Sequence, residues 1–73
     1  MIKFAIKVTT ETDTILQSRI QEAPSEEIFK AFIDGLYKNI GSGNFLLEDS
    51  DNDLIIIPQH VISRSIVQII KVN

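Results

Sequence analysis

The chain has 73 residues, with ten Asp and Glu against seven Lys and Arg, for a net charge of −3. It has no cysteine and a single histidine, His60. That excludes disulfides, thiolate metal sites and a multi-histidine centre within one chain. The acid excess argues against a general nucleic-acid binder, which needs a basic face for phosphates. No apolar run approaches the ~20 residues of a membrane helix.

The N-terminus opens with a strand. Ile2, Phe4, Ile6 and Val8 alternate with Lys3, Ala5, Lys7 and Thr9, the period of two that gives one buried and one wetter face. This start lacks a signal-peptide core, so a soluble, cytoplasmic protein is expected. Thr10 to Asp13 reads as a turn, since Asp and Thr side chains bond nearby backbone. Thr14 to Glu22 reads as a strand or, less well, as a helix. A three-residue loop, Glu11-Thr12-Asp13, would pair Val8 with Leu16, Ile6 with Ser18 and Phe4 with Ile20. That register keeps the apolar set on one face.

Pro24-Ser25-Glu26-Glu27 is a helix start. Ser25 is a good N-cap, and two glutamates suit the positive end of the helix dipole. The helix, from Ser25 to Ile40, is expected to bury Ile28, Phe29, Phe32, Ile33, Leu36 and Ile40. Gly35 lies inside it at a cost of roughly 1 kcal/mol against Ala, and close approach to the sheet would explain it. Gly41 is expected to supply a left-handed stop.

Asn44 to Glu48 is a short strand, Asp49 to Asn52 a turn, and Leu54 to Ile57 the return strand. Pro58 ends regular pairing, because it has no N–H to donate. Gln59 to Arg64 is a tight connection that tucks Val61 and Ile62 under the helix. Ser65 to Val72 is the last strand. The order is ββαβββ, a single α+β domain over residues 1–73 with an antiparallel sheet and one helix on one face.

The last strand carries apolar side chains on both faces, Ile66, Ile70 and Val72 on one and Val67 and Ile69 on the other. One helix covers only one face. A domain this small buries only about 60% of its unfolded surface, and oligomerisation is one of the usual aids. The expectation is a homo-oligomer, most simply a dimer, joined through Ile55, Ile57, Val67 and Ile69.

Four candidate sites remain. Asp49, Asp51 and Asp53 resemble the start of a calcium loop, but the position needing a sharp Gly is Leu54 and the one needing a bidentate Glu is His60. A solvated hairpin tip explains them. With Glu48 they also make an acidic patch for a basic protein surface. His60, Ser63, Arg64 and Ser65 offer a rim for an anionic small molecule, because Arg presents a bidentate fork and Ser adds donors. A polar connection in which His60 and Arg64 face water or bond local carbonyls is the simpler explanation. Ser42 and Gly43 resemble a phosphate cradle, yet they follow a helix C-terminus, where N–H groups are not free. In an oligomer they would join His60 and Arg64 in pockets between chains. Lys3, Lys7 and Arg19 form a mildly basic second face of the first hairpin.

Catalysis finds little support, with one histidine and no cysteine or nucleophile elbow. No enzyme and no cofactor are expected. The Ile, Lys and Asn richness suits an AT-rich coding sequence, as in low-GC bacteria and their phages. The expected role is a non-enzymatic protein of phage or mobile-element type that captures or inhibits a partner. The alternative is an oligomeric sponge for an anionic, nucleotide-like ligand.

Overall fold

In the computed structural model, which describes residues 1–72, an antiparallel sheet packs against one long helix. The architecture is α+β. The elements are β1 (Ile2–Thr9), β2 (Ile15–Gln17), β3 (Gln21–Ala23), α1 (Glu26–Ile40), β4 (Phe45–Glu48), β5 (Leu54–Ile57), the single-turn helix α2 (Gln59–Ile62) and β6 (Ile66–Lys71). No helix among the described residues is long and apolar enough to cross a membrane.

Strand β1 is the centre of the main sheet. One edge pairs with β2 and β3 in succession, and the other pairs with β6 along Phe4 to Thr9. Strands β4 and β5 form a separate two-stranded sheet, where one continuous sheet was expected. That hairpin lies over the same face of the main sheet as α1. Phe45, Leu47 and Ile57 from the hairpin, Ile6 and Val8 from β1 and Ile62 from α2 form one buried cluster, with Phe32, Leu36 and Ile40 of α1 packed against it. Phe4, Ala23 and Phe29 form a second cluster under the N-terminal half of α1. There the Phe4 ring meets Phe29 edge-on at 5.1 Å between centroids, a favoured aromatic geometry.

The expected register holds for Val8 with Leu16 and fails at Phe4, which faces Gln21 instead of Ile20. The cause is a β-bulge. Ala5 and Ile6 of β1 face three residues, Ser18, Arg19 and Ile20, so the partner strand breaks into β2 and β3. Ile20 is turned out and lies 56% exposed. Ser18 completes the ladder with its side chain. Its amide donates to the Ile6 carbonyl at 2.8 Å. Its Oγ accepts from the Ile6 amide at 2.8 Å and donates to the Arg19 carbonyl at 2.9 Å. This buried hydroxyl leaves no backbone group of Ile6 unpaired.

Helix α1 starts as read. The Ser25 Oγ accepts from the Ile28 amide at 3.3 Å. Three other expectations fail. Ile28 is 52% exposed, and only Phe29 of the helix is fully buried. A Cβ on Gly35 would meet nothing within 4 Å, so close packing does not explain that glycine. Gly41 ends the helix in a right-handed conformation with φ −90°, and the positive φ, 144°, falls at Gly43.

The two hairpin turns are built alike. In each, an i to i+3 bond closes a turn whose last residue has positive φ, Asp13 at 63° and Asn52 at 65°. Asp and Asn tolerate this region better than other side chains. The connection α2 places Ile62 in the core and Val61 against it, as its apolar pair suggests.

Candidate functional site

Side chains with chemical potential gather in three places. The first is a groove of about 670 Å³ between α1 and β4. Ile6 lies at its base, Phe32 and Leu36 on the helix side, and Phe45 and Leu47 on the strand side. Arg19 and Glu48 close one end, paired at 3.5 Å between Nε and Oε1. Ser42 and Asn44 stand at the other. An apolar floor with a polar rim is the usual form of a binding groove.

The second place is a cleft of about 280 Å³ between the β1–β2 turn and α2. His60 and Arg64 line one side, and Thr10, Glu11, Thr12 and Thr14 the other. The three threonine hydroxyls form a chain, 3.1 Å from Thr10 to Thr12 and 3.3 Å from Thr12 to Thr14. Thr10 Oγ1 also accepts from the Thr14 amide at 3.1 Å. Alternate residues of a turn thus bring three hydroxyls into the cleft that Arg64 also lines. The sequence carries that signal in Thr10-Glu11-Thr12-Asp13-Thr14, where Thr10 and Thr12 read as turn formers and Thr14 as the start of the next strand.

The residues considered for an anionic ligand therefore divide within one chain. His60 and Arg64 share the cleft. Ser63 turns its hydroxyl to the His60 carbonyl at 3.4 Å. Ser42 lies on the groove and bonds the Asn39 carbonyl at 3.3 Å. Gly43, with its positive φ, serves the chain reversal between α1 and β4.

The third place is the β4–β5 tip. Asp49 is committed to the turn, since its Oδ1 accepts from the amides of Asp51 and Asp53 at 2.9 and 3.0 Å. Glu48 is held by Arg19. The carboxylates of Asp51 and Asp53 stand in water with no ion pair among the described residues. No group of three or more potential ligands that would hold a metal ion occurs among the described residues.

The residues assigned to self-association face inward. Ile57 is 2% exposed, and Ile55, Val67 and Ile69 pack against the two core clusters. The hairpin and the helix together cover this face, and the reading from sequence had not placed the hairpin there. Several of their neighbours are uncovered instead. Ile66, Ile70 and Val72 lie on the outer face of the main sheet, and Leu46, Leu54 and Ile56 on the outer face of the hairpin. Lys3, Ala5 and Lys7 share that outer sheet face, and Lys3 makes a 4.0 Å contact with Glu22.

The chain matches no family model, no curated protein and no solved structure.

Proposed function

We propose that the protein is a non-enzymatic binding protein that works as a homo-oligomer, most simply a dimer, and captures a protein partner. One observation carries this reading. Six large aliphatic side chains, Leu46, Leu54, Ile56, Ile66, Ile70 and Val72, lie open on two outer faces of a domain whose own core is small. Clusters of exposed apolar side chains such as these suit association surfaces. The groove beside β4 and the two unpaired carboxylates of Asp51 and Asp53 give the hairpin a mixed surface suited to a partner with basic and apolar groups. Inhibition of a host protein by a phage or mobile-element product fits the size and composition. Sedimentation over a wide concentration range tests the first step. A concentration-dependent oligomer is the expected result, and a monomer throughout would overturn it.

A second reading rests on the cleft. His60, Arg64 and three threonine hydroxyls offer donors for an anionic, nucleotide-like ligand. The supporting result is thermal stabilisation by nucleoside phosphates that disappears in Arg64→Ala, since a ligand that binds only the folded state stabilises it. No stabilisation by any such anion would remove this reading.

A further inference from the structure

We infer that two copies of the chain join edge to edge through β6, antiparallel, with Gln68 on the two-fold axis. This rests on the homo-oligomer reading and assigns it a surface and a register.

The backbone supplies the first argument. The Val72 amide donates to the Lys3 carbonyl at 2.8 Å. In an antiparallel ladder alternate residues bond the same neighbour, so Ile66, Gln68, Ile70 and Val72 turn their backbone groups toward β1. Val67, Ile69 and Lys71 turn theirs away from β1, and no strand among the described residues pairs with that edge. Proteins guard such edges with proline, bulges or charge. The opposite edge of this sheet has its guard, because the bulge at Ser18 to Ile20 breaks it and the Arg19 amide is bonded to the Glu48 carbonyl at 2.9 Å. Strand β6 has neither proline nor bulge. Its one charge, Lys71, is drawn over the Phe29 ring at 5.3 Å.

The side chains supply the second argument, and they select the occupant. Read outward from Gln68, β6 is apolar in both directions, Val67 and Ile66 one way, Ile69 and Ile70 the other. Only residues with outward backbone groups can form hydrogen-bonded pairs, so the symmetric registers are few. With Gln68 on the axis, Val67 pairs with Ile69 of the second copy through main-chain bonds, and Ile66 faces Ile70 of the second copy on the outer face. The two Gln68 amides meet each other, each able to donate and accept. Moving the axis to Ile69 sets Gln68 against Ile70 and Val67 against Lys71, which mismatches polar with apolar. A second copy therefore fits this edge in one register, and Gln68 is the residue that selects it.

The absence of cysteine makes a clean test. In this register the Gln68 pair is not hydrogen-bonded, with Cβ atoms about 4.5–5.5 Å apart, near disulfide reach. Residue 66 faces residue 70, so the two copies of residue 66 lie roughly 14 Å apart at a rise of about 3.4 Å per residue. Gln68→Cys, an exposed position, is expected to form disulfide dimers at least tenfold faster than Ile66→Cys under mild oxidation, with the circular dichroism of the unaltered chain. Equal rates would overturn the register. An unaltered chain that sediments as an oligomer while Gln68→Cys fails to cross-link would overturn β6 pairing and leave the homo-oligomer intact. A strict monomer would overturn both.

Discussion

The amide nitrogen of Arg19 lies 2.9 Å from the carbonyl oxygen of Glu48, and the same two residues meet again through their side chains at 3.5 Å. This double contact latches the β4–β5 hairpin to the main sheet. Its origin is the bulge, which turns the Arg19 N–H out of the β1 ladder. The two bonds differ in weight. The side-chain pair is about half exposed on each partner, and such pairs contribute less than about 1 kcal/mol. Arg19→Ala is therefore expected to lower unfolding free energy in urea by under about 1 kcal/mol, whereas Arg19→Pro, which removes the amide donor, should cost clearly more.

Ser18 holds the bulge. Its residue is 5% exposed, and its Oγ is the acceptor for the Ile6 amide. Ser18→Ala leaves that N–H unpaired beside the core. The expected loss is about 1–3 kcal/mol, read from denaturant midpoints, with no change in the slope of the transition.

Gly35 works in the opposite sense. It sits in the middle of α1 with open space where a Cβ would be. Gly35→Ala should stabilise by about 0.5–1 kcal/mol through helix propensity. A loss of stability would mean that this position is constrained by something that contacts the groove.

The acids of the hairpin tip are not equivalent. Asp49 accepts two backbone bonds and Asp51 accepts none through its side chain among the described residues. Asp49→Ala is expected to destabilise by about 1 kcal/mol, and Asp51→Ala to leave thermal unfolding unchanged. Binding to a basic partner should respond in the reverse way, weakening in Asp51→Lys and with added salt.

Ile66 is 64% exposed and belongs to neither core cluster. Ile66→Lys should leave unfolding of the dilute protein unchanged and weaken self-association at least tenfold by sedimentation. Unaltered association would place the contact elsewhere, on the hairpin face of Leu46, Leu54 and Ile56.

The strands and helix were legible because their periodicity is strong. Alternation along β1 and the i, i+4 spacing of Phe29, Phe32, Ile33, Leu36 and Ile40 each answer to one local rule. The bulge was not legible. Ser18-Arg19-Ile20 fits an unbroken strand, and only the demand that Gln21, rather than Ile20, meet Phe4 exposes the extra residue. The inward turn of Val67 and Ile69 was read as a need for a second copy, because the strand shows two apolar faces but not which one the hairpin covers. The cleft of His60 and Arg64 joins two segments some fifty residues apart, a proximity that no local pattern contains.

The longest ladder in the molecule, β1 with β6, joins residues 4–9 to residues 66–71. During synthesis the first strand must wait for residues 66–71 before its principal neighbour exists. Such distant pairing slows folding and leaves one edge of β1 open while its other edge and its apolar face can already be met by β2, β3 and α1. Whatever reaches that open edge on the ribosome, whether a chaperone or a sister polypeptide on the same message, meets it before the native neighbour does.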